Sequence, residues 1–282
     1  MCVTVDKEDN KALYLTAIPL GSKTAGELGG YGKIMKNFRL VVLDKSYLQG
    51  CTQKDLQEII ENNRLLVTAH LGYEIFTDDR HFKNCVGKLI PFRHHIDLID
   101  PIRTLYRFER EKQKSCMPLS THFFSGILNE NFNFKFDEEQ QKHLQDTKDD
   151  YEIWKPKEFE KIVLEIRAKS RSFNIQNDVR DPKVIRKIYQ RLKTPSLPPS
   201  SKLNEKWAIF RKLQVDLIAA EQYWHSYNGK NFNIRNIKKS HDQIDFRICV
   251  FASLTKAVAT NDKTIKRYFS LICPEGTIYS LD

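Results

Sequence analysis

The chain has 282 residues, 40% of them hydrophobic, 29% charged and 11% aromatic. That length is ample to bury a core, 11 Gly and 10 Pro exclude collagen-like and linker-dominated chains, and the apolar content excludes a disordered one. Lys and Arg number 46 against 36 Asp and Glu, a net +10 that favours polyanionic partners, nucleic acid before membrane surfaces; plain solubility accounts for it as well.

No run of about 18 apolar residues occurs, and the opening MCVTVDKEDNK has no apolar stretch after a basic one. No membrane association is therefore expected. Six cysteines, at positions 2, 51, 85, 116, 249 and 273, show no C-x-x-C spacing and no His at a zinc-finger offset. They read as reduced thiols of a cytoplasmic protein, not as a disulfide framework.

In chain order, residues 1–36 read as an irregular arm. Five of its glycines fall between Gly21 and Gly32, yet the phosphate-loop spacing fails, with Glu27 and Ile34 at positions that need Gly and Ser or Thr. Phe38 to Leu43 is an apolar, β-branched run expected as a buried strand. Thr52-x-x-Asp55 is a capping box opening a helix with Leu56, Ile59 and Ile60 on one face. Arg64 to Ala69 predicts a second strand, and Leu71 to Phe76 a helix carrying Glu74. Apolar strands alternating with helices predict a parallel sheet, an α/β fold.

From 78 to 239 the pattern is mostly helical, including an acidic stretch over Asp137–Glu152, PKVIRKIYQRLK, and a long helix. In that helix Trp207, Phe210, Leu213, Leu217, Ala220 and Trp224 form one apolar stripe. Asp242 to Leu254 is then expected as a buried helix, although FRICVF alone suits a strand equally. Ala257 to Thr260 is expected as a short strand and Lys263 to Leu271 as a helix. So 37–77 and 240–282 read as one α/β core, and 78–239 as a mostly helical insertion or elaboration.

In open parallel sheets, sites form beyond the carboxyl ends of the strands. Asp44 follows RLVVL, Glu74 lies just past LLVTA, and Asp262 follows AVATN. Asp242 and Asp245, three apart, share one face at the start of the helix feeding the last strand. Unneutralised carboxylates that meet repel one another and raise their own pKa values. A hard cation, Mg²⁺ or Mn²⁺, removes that cost and supports phosphodiester hydrolysis. Each acid also has a plain use: Asp44, Asp242 or Asp245 as helix N-caps, Glu74 as a surface residue, Asn261-Asp262 as a turn. Their joint placement favours the metal site.

At these residues the sequence resembles the PIN-domain nuclease superfamily. LVVLDKSYL carries the strand-Asp-x-Ser motif at Asp44 and Ser46. VTAHLGYEIF offers the second acid at Glu74, and HDQIDFRICVFASLTKAVATNDKTI offers Asp242, Asp245, Thr260, Asn261 and Asp262. The likeness covers roughly 37–77 and 240–273. It implies a PIN-like sheet flanked by helices and a metal-dependent endoribonuclease using Mg²⁺ or Mn²⁺. Asp44, Glu74, Asp242, Asp245 and Asp262 are then the metal-coordinating acids, and Ser46 or Thr260 orients a carboxylate or water. RNA is the expected substrate, with DNA as the alternative, and a regulating protein partner or larger complex is expected, since a free nuclease endangers its own cell. A non-catalytic nucleic-acid-binding or scaffold subunit is the competing expectation.

Lys263, Lys266 and Arg267, directly after Asp262, are placed to meet a phosphate backbone. A second basic ridge, Lys183, Arg186, Lys187 and Arg191, reads as a solvated face. His94 and His95 beside Asp97 and Asp100 point different ways on any regular element, and nothing local supports a Cys116/His122 nucleophile.

Overall fold

The computed structural model describes residues 2–4, 14–16, 38–76, 79–99, 101–124, 162, 164, 173–192, 198–226 and 240–281. The glycine-rich segment, the acidic stretch at 137–152 and Asp100 lie outside the described residues. Within the arm read as irregular, β1 (Cys2–Thr4) and β2 (Tyr14–Thr16) form an antiparallel pair.

The main sheet is built from β3 (Arg39–Leu43), β4 (Asn63–Thr68), β5 (Ile96–Ile99), β6 (Phe123–Phe124), β7 (Ala257–Ala259) and β8 (Thr277–Tyr279), in the order β6-β5-β4-β3-β7-β8. β5 through β8 along that order, leaving out the two-residue antiparallel edge strand β6, are all parallel. Between β3 and β4 run α1 (Lys45–Gly50) and α2 (Gln53–Ile60); between β4 and β5 run α3 (Ala69–Phe76) and α4 (Asp79–Leu89). Then come α5 (Ile102–Lys112), α6 (Ile175–Asp178), α7 (Pro182–Leu192), α8 (Ala208–Ser226), α9 (Ser240–Thr255) and α10 (Lys263–Ile272).

Side chains alternate across the pleat, so each strand feeds two cores. Val42, Leu66, Ile99 and Val258 face one side, packed against Leu105, Ile185, Phe210, Val250 and Phe269 from five helices. Val41, Leu43, Leu65, Val67 and Ala259 face the other, against Leu48, Leu56, Leu71 and Val86 from α1 to α4. The chain leaves β3 toward β4 and β5 with helices on one face, while α9 and α10 lie on the opposite face, beside β7 and β8. The gap between the ends of β3 and β7 is therefore the topological switch point, where open α/β sheets form their sites.

Most expected elements appear with ends shifted by one or two residues. The Thr52 capping box forms: the Asp55 amide donates to Thr52 Oγ1 at 3.2 Å and the Thr52 amide to Asp55 Oδ2 at 2.6 Å. FRICVF is helical, within α9.

Three features differ from expectation. The stretch read as a mostly helical insertion supplies β5 to the same sheet. Its polar Asp97 is held by a two-pronged bond from Arg64 on β4, at 2.7 and 2.9 Å. The tail after α10 supplies β8. And α8 is buried all round, not along one stripe: Ile209, Val215, Ile218 and Ala219 are as dry as Phe210 and Leu217. The reason is its position, packed against α5, α7, α9 and α10 at once.

Candidate functional site

Asp44 directly follows β3 and occupies the N-cap position of α1, yet its side chain makes no capping bond. The carboxylate turns instead toward β7. Its Oδ2 accepts from Thr260 Oγ1 at 2.7 Å and from Ser46 Oγ in a short bond. Each hydroxyl has a single proton to give, and each in turn accepts from a backbone amide: Ser46 Oγ from Asn261 at 2.9 Å, Thr260 Oγ1 from Asp262 at 3.0 Å. Both strands hold these groups rigidly. The Asp44 amide donates to Ala259 O at 3.0 Å, and the Thr260 amide to Tyr279 O at 2.9 Å, extending the ladder past the last strand residues.

Asp262 does serve as a helix cap. Its Oδ1 accepts the Thr264 and Ile265 amides at 2.6 and 3.0 Å, which leaves Oδ2 unused by the cap. Its charge still reaches the neighbouring carboxylate. Burial raises the pKa of Asp44, the Ser46 and Thr260 hydroxyls and the Lys45 amide oppose the rise, and repulsion from Asp262 adds to it.

Asp245 sits in the second turn of α9, past the capping position, half-buried. One turn further on lies the buried Cys249 thiol. That thiol is pushed well above its ordinary range by burial first, then by the charges of Asp245, Asp44 and Asp262. Asp242 lies in the first turn of α9, with its side chain outside the described residues.

Glu74 on α3 is half-buried, with Lys45 Nζ 4.0 Å from its Oε1. Among the described residues, no group of three or more His, Cys, Asp or Glu side chains stands close enough to hold a metal ion. The oxygen-only chemistry of Asp44, Asp262 and Asp245 is of the kind that suits Mg²⁺ or Mn²⁺; the rise at Asp44 comes first from burial, and the charge of Asp262 adds least to it.

The helices bearing Glu74 and Asp245 are joined by a bond that no local pattern foretells. Arg247 Nη1 lies 2.7 Å from His70 Nε2, both side chains buried. Burial, then the Arg247 charge, lowers His70 to about 3; the ring is neutral and accepts from the guanidinium. Asn261, between Thr260 and Asp262, is likewise more than a turn residue, since its amide holds the Ser46 hydroxyl.

Of the basic residues, Lys263 is exposed, Lys266 half-buried, and Arg267 sits 3.9 Å from Glu221. On α7, Arg186 is committed to Leu203 O through two bonds, while Lys183, Lys187 and Arg191 are exposed. His94 and His95 are both exposed. Cys116 is buried beside Glu109, and burial followed by the Glu109 charge pushes its thiol far up, the opposite of an activated nucleophile.

Glu109 itself is fully buried on α5. Its Oε1 accepts the Cys116 and Ala208 amides at 3.0 and 2.8 Å, and its Oε2 the Ile209 amide at 2.9 Å. It caps α8 from another helix. Burial raises its carboxyl to about 7, against those amides, which favour the charged form.

No family model, no curated protein and no solved structure matches the chain. Among the described residues, no helix is long and apolar enough to cross a membrane, and no disulfide is formed.

Proposed function

We propose that the chain is a metal-dependent nuclease of PIN-like fold that hydrolyses phosphodiester bonds, with RNA as substrate and DNA as the alternative. The observation that carries this reading is the Asp44–Ser46–Thr260–Asp262 constellation at the switch point of the sheet. There one buried carboxylate is oriented by two hydroxyls, and the charge of a second carboxylate, Asp262, reaches it.

Asp44 and Asp262 would hold a Mg²⁺ or Mn²⁺ ion, with Asp245, Glu74 and Asp242 as the remaining acids of the same reading. A bound ion of that kind lowers the pKa of a coordinated water and offsets charge on the phosphate. Ser46 and Thr260 fix the rotamer of Asp44 and favour its ionised form. The low dielectric around the buried Asp44 strengthens its pull on a cation relative to an exposed carboxylate. Lys263 and Lys266, on the first turn of α10, attract the substrate backbone, in line with the net charge of +10. A regulating partner or larger complex, and a cytoplasmic setting, belong to the same proposal.

Two observations favour a second reading. Glu74 has a Lys 4.0 Å away, and no trio of ligating side chains is assembled among the described residues. A non-catalytic nucleic-acid-binding or scaffold subunit needs no such trio.

Cleavage of end-labelled single-stranded RNA and DNA by purified protein separates the two. The proposal expects cleavage with Mn²⁺, none with EDTA, and a loss on the order of 10³-fold in Asp44→Asn and in Asp262→Asn. Binding without divalent-dependent cleavage supports the scaffold reading. Asp44→Asn cutting as fast as the parent overturns the nuclease.

A further inference from the structure

Asn261 commits its backbone amide and its whole side-chain carboxamide to the surroundings of Asp44. Its amide donates to Ser46 Oγ at 2.9 Å, its Nδ2 donates to Ser46 O at 3.2 Å, and its Oδ1 accepts the Leu281 amide at 2.9 Å. Ser46 Oγ in turn donates to Asp44 Oδ2. A serine hydroxyl has three staggered positions to choose from; the Asn261 backbone amide on Oγ favours the one that faces Asp44, and the Nδ2 bond to Ser46 O holds the backbone that carries it.

The segment after β8 closes over the same place. Gly50, the last residue of α1, has no Cβ; one built there would come within 3.0 Å of Leu281 Cδ1 and 3.4 Å of Asn261 Nδ2. Leu281 therefore lies against the end of α1 while Asn261 grips its start. β8 anchors this arrangement, since Tyr279 O takes the Thr260 amide.

We propose that Asn261 is a positioning residue that couples the Leu281 segment to Ser46, so that this brace sets how firmly Asp44 is held for a divalent cation. The inference rests on the metal-dependent reading of the site. Asparagine suits this role because one planar amide supplies a donor for Ser46 and an acceptor for Leu281. Aspartate keeps only the acceptor and adds a charge beside Asp44 and Asp262.

The test compares the parent with Asn261→Ala, Asn261→Asp and Leu281→Pro, the last removing the donated amide and no atom of the acidic site. Two quantities are read: hydrogen–deuterium exchange in metal-free protein over 44–51 and 277–281, and Mn²⁺ affinity by electron paramagnetic resonance. Thermal midpoints serve as the control for folding. Asn261→Ala and Leu281→Pro should each speed exchange in both segments and weaken Mn²⁺ binding about five- to tenfold, the size of one or two lost hydrogen bonds. Asn261→Asp should speed exchange at 44–51 while sparing 277–281.

A lowered midpoint with unchanged Mn²⁺ affinity makes Asn261 merely structural and overturns the proposal. So does exchange in Asn261→Ala that matches the parent. Equal Mn²⁺ affinity in the parent and in Asn261→Ala overturns this inference alone, whereas a parent that binds no Mn²⁺ overturns the reading of the site as well.

Discussion

Glu109 and Asp44 are both buried carboxylates beside the start of a helix, and burial raises the pKa of both. What differs is how their oxygens are used. Glu109 gives both oxygens to three backbone amides from two segments, so its polar capacity goes into holding α5, α8 and the loop at Cys116 together. Asp44 gathers two hydroxyls on one oxygen, leaves its own helix uncapped, and feels the charge of Asp262. A satisfied buried acid is a fastening. A buried acid whose pKa is raised is an arrangement that functional sites commonly show.

The largest expected effect separates the two directly. Asp44→Asn should reduce single-turnover cleavage on the order of 10³-fold yet leave the protein no less stable. Burial disfavours ionised Asp44 in the fold, a cost that a neutral isostere relieves, whereas the Lys45 amide that now donates to the carboxylate would meet an NH₂ group, so the two effects offset. Its thermal midpoint without divalent ions should lie close to the parent's. Added Mn²⁺ should raise the parent's midpoint and not the variant's.

Glu109→Gln should do the reverse, costing about 2–3 kcal/mol in urea unfolding because an amide NH₂ then faces a backbone N–H, with Mn²⁺ affinity unchanged. The parent should also show a pH slope that the variant lacks. The carboxyl titrates at about 7 in the fold against an ordinary 4.5. Its contribution to stability is therefore full below 4.5 and falls as pH rises through 7; unfolding free energy measured from pH 4.5 to 8 tests this.

A smaller effect probes the support under the site. In the turn into β8, a Cβ on Gly276 would overlap the Phe269 ring and come 2.9 Å from Cys273 O. Gly276→Ala should cost about 1–2 kcal/mol through overpacking, and thermal unfolding reads it.

How much was legible follows the same division between local and distant causes. The strand Arg39–Leu43, the Thr52 cap and the strand–acid junctions at Asp44 and Asp262 are written in contiguous residues, so pattern alone finds them. The four-residue strand at Ile96–Ile99 was obscured by the adjacent His pair and by Asp97, whose partner Arg64 belongs to another strand. β8 is a three-residue strand at the sheet's edge. The burial of α8 on every side, the cap that Glu109 provides across about a hundred residues, and the His70–Arg247 bond depend on tertiary neighbours that no spacing encodes. Within the site, Ser46 and Thr260 were readable as hydroxyls near an acid; that Asn261 links them to Leu281 was not.

The most direct measurement is an anomalous-difference map from a crystal of the protein soaked in Mn²⁺. A peak bound by Asp44 and Asp262 oxygens, absent in Asp44→Asn, is the predicted result. A map without density there at saturating Mn²⁺, or with an ordered Lys or Arg filling the space between the two carboxylates, contradicts the account.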